Sequence, residues 1–317
     1  MCPFCFYFCM QIMLKTDMEN KKSLVGAWVE AARPRTLPAS VSPVLLGCAL
    51  AYYDGVFDVV PAVLCLLVAL FAQIASNFAN DYFDFKKGAD REDRLGPERA
   101  VAEGWITPKA MLVGTFVTLG LACAAGLLLV CFADWRLIGG GIAIAICVLA
   151  YSAGPFPLAY NGLGDVCVLL FYGVIPVCFT YYIQTLNFSL LSFLLSVALG
   201  LLSVNILIVN NYRDYEQDKA ARKRTTIVLF GRRAGRVFYV LNECMAFLLV
   251  LPLILDAPWW ILFLFGILFA LCFYTTRELF TLEGRALNRT LGHTARNVFL
   301  FASVLSLLFL YIGGVSN

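Results

Sequence analysis

Residues 59–79 read VVPAVLCLLVALFAQIASNFA, and the next six are Asn80-Asp81-Tyr82-Phe83-Asp84-Phe85. The first stretch is an apolar run of the length, about 20 residues, that carries a helix across a hydrocarbon core roughly 30 Å thick. The second places amides and carboxylates where that helix emerges. The rest of the chain repeats the first feature many times. Its 317 residues are 61% hydrophobic and only 14% charged, against about a quarter charged in a soluble domain. Nine apolar runs can be drawn, at 37–53, 59–79, 109–132, 137–153, 165–186, 189–209, 237–255, 258–275 and 293–315. In lipid each span must satisfy its own backbone hydrogen bonds, which a helix does within one segment. The alternation of a membrane β-barrel is missing. The expected fold is therefore all-α: a polytopic membrane protein of nine transmembrane helices.

The charges orient this bundle. Of the 24 Lys and Arg residues, 23 precede the first run or lie in the loops after the second, sixth and eighth, and Arg136 stands alone on the other side. Basic residues collect on the cytoplasmic face, so the N-terminus and the even-numbered loops are expected there, in a cytoplasmic membrane. A nucleic-acid surface is a poor reading of the same loops, because they are also rich in acid. Nine of the 12 cysteines lie in or beside apolar runs, where Cys behaves as a small hydrophobe. Cys2 and Cys5 have CxxC spacing, but no partner residues for a zinc or redox site accompany them. The segment Met1–Met13 is apolar yet too short to span and lacks the features of a signal peptide. Met18, followed by Glu-Asn-Lys-Lys, reads as an alternative start. Residues 1–20 are thus expected to be an N-terminal extension, and 21–317 a single transmembrane domain.

The polar hexapeptide has a second copy. At the end of the sixth run stands Asn210-Asn211-Tyr212-Arg213-Asp214-Tyr215. Four spans separate the copies, and an even number leaves both on the same side, as a parallel repeat whose halves face one cavity. Carboxylates at this depth are expensive and mark cavities and function. On a helical continuation Asn80 and Asp84 share one face at i,i+4, and Asn210, Asp214 and Asp218 extend the same pattern. Hard oxygen donors without His or Cys suit Mg²⁺, which characteristically bridges carboxylates to substrate phosphates. Lys86, Arg99, Arg213, Lys223 and Arg224 are the candidate contacts to phosphate oxygens. Together the set is expected to hold a diphosphate and stabilise its charge as it departs. A single such motif is more simply a solvated helix end; the copy on the same side outweighs that reading.

On these residues the chain resembles the UbiA superfamily of membrane prenyltransferases, over nearly its whole length from about Arg33. Within it the chain is most similar to the branch that prenylates 1,4-dihydroxy-2-naphthoate on the way to menaquinone. The stretches that carry the likeness are Arg33-Pro34-Arg35-Thr36-Leu37-Pro38-Ala39, Asn80 through Asp90, Gly96-Pro97-Glu98-Arg99-Ala100-Val101, Tyr151-Ser152-Ala153-Gly154-Pro155-Phe156-Pro157-Leu158, and Asn210 through Asp218. There are departures. Gly88 occupies the third acidic position of the general first motif, so the resemblance implies a ligand from Asp81 or Asp90 instead. Ala221-Arg222-Lys223-Arg224-Thr225 lacks the Gly usual before this basic run. The branch that uses 4-hydroxybenzoate has a Lys-Arg pair shortly after its Tyr, where this chain has Gly154-Pro155-Phe156-Pro157.

The resemblance implies a mechanism. Mg²⁺, held by Asn80, Asp81, Asp84, Asn210, Asp214 and Asp218, would draw diphosphate from a long allylic polyprenyl diphosphate. Tyr151 would shelter the carbocation through its π face. The aromatic acid acceptor would attack, losing a proton and its carboxylate as CO₂, with Arg33 or Arg35 holding that carboxylate. On this view Asp84, Asp214, Asp218 and Tyr151 are the catalytic set, and membrane lipid admits the prenyl tail sideways. His293, the sole histidine, reads as interfacial. Asn242 and Glu243 lie within a span as a polar pair with no motif, and Asp165 is a secondary candidate for the same cavity. Rival readings are a relative using another aromatic acceptor and, in a different class, a transporter. Transporters with repeats are often inverted and broken in mid-helix, unlike this parallel repeat. A CDP-alcohol phosphotransferase would show a longer paired-Asp run.

Overall fold

The computed structural model describes residues 22–88 and 95–316. The extension 1–20, with its CxxC pair, and Asp90 lie outside them. The regular structure among the described residues is helical. A short helix α1 (Leu24–Ala32) leads through a 3-10 turn at Pro34–Thr36 into α2 (Leu37–Tyr53) and α3 (Val59–Lys86). Then come α4 (Pro108–Leu129) and α5 (Leu137–Ala150). Next is α6 (Gly164–Leu169), joined by a π-helical turn at Leu170–Val174 to α7 (Ile175–Thr185). The chain closes with α8 (Leu190–Arg213), α9 (Tyr215–Ala220), α10 (Thr226–Leu255), α11 (Trp259–Thr281) and α12 (Leu287–Ser316).

Local chemistry starts these helices where they start. Side-chain oxygens of Ser23, Asp58, Thr107, Ser189 and Thr225 each accept an otherwise orphaned amide in the first turn of the helix that follows. Among the described residues eight helical stretches are long and apolar enough to cross a membrane, and the chain is a multi-pass membrane protein. The fourth expected span, 137–153, forms only the 14-residue helix α5, apolar but shorter. Two other edges move outward. Helix precedes the run expected at 237–255 from Thr226 onward, broken at Gly231; Arg232, Arg233 and Arg236 interrupt the apolar pattern yet lie on helix. Arg232 and Arg236 lay their guanidinium groups 5.6 and 5.4 Å from the ring centre of Tyr212, which gives both charges an aromatic partner. Gly231, at φ 86°, kinks α10 beside them. The second run likewise continues as helix through Lys86, so Asn80 and Asp84 sit on the last turns of α3 and not in a loop.

The largest apolar core joins α2, α7, α8, α10, α11 and α12 through residues such as Leu46, Leu199, Phe301, Leu305 and Phe309. Hydrophobicity alone does not bring helices together in lipid, so close approach at small residues does. A Cβ on Gly47 would lie 2.8 Å from the Thr180 side chain and 2.9 Å from the Val177 carbonyl oxygen, which locks α2 against α7. This packing leaves a cavity of about 930 Å³ open among α2, α3, α5, α6 and α8.

Candidate active site

The ends of α3 and α8 meet on that cavity. Asn80 and Asp84 from the first motif, and Asn210, Asp214 and Asp218 from the second, all line it. Below them the walls are largely apolar, with Val68, Ile142, Ile146, Val168 and Phe179 among the lining residues. The expected convergence of the two copies is therefore observed.

Asp84 meets three partners, Arg99, Tyr160 and Lys223. Its side chain is only 8% exposed and accepts from Arg99 at 3.0 Å and from the Tyr160 hydroxyl at 2.8 Å. The Lys223 ammonium stands 3.8 Å from Asp84 and 3.8 Å from Asp218. Both separations exceed hydrogen-bond length, so Lys223 bridges the two motifs by charge. Asp218 rides on α9, which the chain begins after α8 ends at Arg213. Burial pushes the Asp218 carboxyl up to about 6; Asp214 and Asp84 push the same way, against the pull of Lys223 and Arg213. Asp214 is gripped by its neighbour: Arg213 donates through Nε at 2.7 Å and a terminal nitrogen at 2.6 Å. Asn210 and Asn288 hold the other guanidinium bonds at 2.8 and 2.6 Å.

Several expected roles change. Asp81 does not face the cavity. It is 2% exposed and accepts the backbone amides of Ala100 and Val101 at 3.0 and 3.3 Å. It lies one residue, about 100° of helix, from Asn80; its carboxylate is spent on these two amides, and so ties the α3–α4 connection to the bundle. Arg213 lines the cavity but its three bonded nitrogens are occupied within the protein, which makes it an anchor for Asp214 more than a free phosphate contact. Lys86 and Arg224 are exposed and absent from the lining. Arg99 and Lys223 do line it, as do Tyr151, Arg33, Arg35 and Asp165.

Tyr160 is the residue that sequence reading missed. Its hydroxyl holds Asp84, and its ring lies 4.2 Å below the Lys87 ammonium and 4.7 Å from that of Lys223. Lys87 also donates to the Ser152 carbonyl at 2.6 Å, and the Ser152 hydroxyl donates to Asn80. The available signal was topology: the loop after the fourth run lies on the same side as both motifs. Outside the site, His293 bonds Glu278 at 2.8 Å and does not line the cavity. Asn242 and Glu243 make interhelical hydrogen bonds to Asn205 and Thr276 at 3.0 and 2.6 Å.

As placed, no three His, Cys, Asp or Glu side chains among the described residues converge on one point. The donor set still fits a hard divalent ion that completes its shell with phosphate oxygens. It offers carboxylate and amide oxygens from two sides of one cavity. Arg99 and Lys223 already show where positive charge is wanted.

The chain is similar to known proteins over most of its length. The sequence profile of the UbiA prenyltransferase family matches residues 40–303. The chain is 38% identical over 228 residues to the 1,4-dihydroxy-2-naphthoate octaprenyltransferase of Escherichia coli (strain K12), covering 70% of this chain and 74% of that one. It is 37% identical to the enzyme of the same description from Mycobacterium tuberculosis, covering 73% of this chain and 79% of that one. In fold it is similar to a UbiA homolog from Archaeoglobus fulgidus bound to GPP and Mg²⁺, with a TM-score of 0.61 and 20% identity over 89% of this chain and 97% of that one.

Proposed function

Because this chain belongs to the UbiA prenyltransferase family, we propose that its cavity transfers a polyprenyl group from an allylic polyprenyl diphosphate to 1,4-dihydroxy-2-naphthoate. Diphosphate and CO₂ leave, and the product is demethylmenaquinol. The observation that carries the reading is the meeting of two copied Asn/Asp motifs over an apolar cavity. A charged head group and a long hydrocarbon tail need such a two-part container. The identity to named naphthoate prenyltransferases supports the choice of acceptor.

Asp84, Asp214 and Asp218, with the amide oxygens of Asn80 and Asn210, are the groups that would hold Mg²⁺. The ion supplies charge neutralisation at the departing diphosphate. Arg99 and Lys223 add fixed positive charge beside it, in a site poor in water where such charge acts strongly. Tyr160 orients Asp84 from the side away from Arg99. Tyr151, at the end of α5, offers its ring to the developing carbocation. The apolar walls exclude the water that would quench the cation. Arg33 and Arg35, on the turn between α1 and α2, supply the counter-charge for the acceptor's carboxylate. By the distribution of basic residues the site faces the cytoplasm, in the inner membrane.

The test is an assay on membranes containing the protein, with a long allylic diphosphate, 1,4-dihydroxy-2-naphthoate and Mg²⁺. A prenylated, decarboxylated naphthoquinol should form, and should vanish with EDTA, with Asp84→Ala and with Asp214→Ala. Turnover of 4-hydroxybenzoate in its place would keep the prenyl transfer and overturn the acceptor.

A further inference from the structure

Polar side chains do not stop at the carboxylates. On α3 the residues Gln73, Asn77, Asn80 and Asp84 follow one another at helical spacing, and all four line the cavity. Gln73 lies seven residues before Asn80, about 10 Å further along the helix at 1.5 Å per residue. There it is 7% exposed. The Tyr172 hydroxyl, across the cavity, donates to its carbonyl oxygen. The Gln73 amide nitrogen makes long contacts of 3.4 Å to both Thr36 and Asn77. Thr36 is three residues from Arg33 and bonds its carbonyl at 3.0 Å.

The backbone is shaped to present this tyrosine. Tyr172 occupies the π-helical turn at Leu170–Val174, an irregularity that redirects side chains and is frequent at functional sites. The next residue, Gly173, presses on α8 so closely that a Cβ would lie 2.5 Å from the Gly200 Cα. The turn therefore cannot rotate, and the phenol stays aimed at Gln73.

A polyprenyl tail has no polar atom to meet this pair, and the diphosphate is held near the carboxylates. Resting on the prenyl-transfer reading above, we infer that Tyr172 and Gln73 bind the ring hydroxyl of the aromatic acceptor that lies remote from its carboxylate. With Arg33 on the carboxylate they set which ring edge faces the prenyl donor. The other hydroxyl, adjacent to the carboxylate, bonds to it internally and needs no protein partner. Tyr172 spends its proton on Gln73 and keeps lone pairs for an incoming hydroxyl, and the loosely held Gln73 amide keeps donor capacity. A chain of hydroxyl to phenol to amide also increases electron density on the ring at the moment of attack.

The experiment compares 1,4-dihydroxy-2-naphthoate with 1-hydroxy-2-naphthoate as acceptors, in membranes with Mg²⁺ and a fixed polyprenyl diphosphate. Wild type should prefer the dihydroxy compound. Tyr172→Phe should cut that preference about tenfold, the size of one hydrogen bond to a buried partner, through acceptor KM and with donor KM unchanged. Gln73→Met, which keeps the volume, should do the same and serves if Tyr172→Phe accumulates poorly. An unchanged preference in either folded variant, or a donor KM that rises in step, overturns the inference alone. Failure of wild type to prenylate any aromatic acceptor overturns the reading beneath it.

Discussion

The two copies of the Asn/Asp motif share their spacing and differ in how the chain uses them. In the first, α3 runs unbroken through Asn80 and Asp84, and the intervening Asp81 serves the α3–α4 connection. In the second, the helix ends at Arg213, Asp214 is gripped by that arginine, and the acid nearest the first copy, Asp218, comes from α9. One half presents its carboxylate on a rigid rod, the other on a short helix after a break. Lys223 stands equally far from both. The repeat delivers two sets of oxygen donors, and local bonding decides which of them face the cavity.

The largest effects should come from neutralising the acids that meet at Lys223. Asp84→Asn and Asp218→Asn are each expected to lower kcat on the order of 10²–10³-fold, as for loss of one preorganised electrostatic group. Product formation by chromatography at saturating Mg²⁺ measures this. A hundredfold loss from one variant beside normal turnover from the other would show that a single motif carries the site, and the comparison between halves would collapse.

Asp81 tests the division of labour within the first copy. Its carboxylate holds two buried amides, and Asp81→Asn weakens both bonds, at about 1–3 kcal/mol. The expected outcome is a lower melting temperature in detergent with kcat reduced far less than in Asp84→Asn. A normal melting temperature with a hundredfold loss of turnover would return Asp81 to the metal-binding set.

Tyr160→Phe removes the hydroxyl bonded to Asp84 and leaves the ring for Lys87 and Lys223. A hydrogen bond to a charged acceptor contributes about 1.5–3 kcal/mol, so a loss of at least about tenfold in kcat/KM is expected, with full expression. No change would mean that Arg99 alone orients Asp84.

These residues also show what a sequence can reveal. The helices were legible because lipid demands long apolar runs. Asn80, Asp84, Asn210 and Asp214 were legible because they recur, and Asp218 because it continues the i,i+4 face of the second copy. Asp81 belongs to the same motif, but its bonds to the Ala100 and Val101 amides come from a segment about 20 residues away and leave no mark on spacing. Tyr160, Gln73 and Tyr172 stayed hidden for the same reason: each acts through a partner from a distant segment, and the π-helical turn that aims Tyr172 has no apolar periodicity of its own. The helical stretch before residue 237 read as loop because Arg232, Arg233 and Arg236 break the apolar pattern, while the rings of Tyr212 and Tyr215 partner Arg232.

The smallest expected effect separates adjacent lysines. Lys86 and Lys87 are indistinguishable by composition, and both follow the first motif. Lys87 reaches over the Tyr160 ring and bonds the Ser152 carbonyl at 2.6 Å, so it braces the loop that carries Tyr160 and, through the Ser152 hydroxyl, Asn80. Lys86 is exposed and outside the lining. A solvated charge so placed contributes little, and Lys86→Ala should leave kcat and donor KM within about twofold of wild type. Lys87→Ala should raise donor KM several-fold, because Tyr160 and Asn80 lose a common support. Donor titrations at fixed acceptor read both variants. Equal effects would place the diphosphate closer to the end of α3 than the cavity does, and would restore Lys86 as one of its contacts.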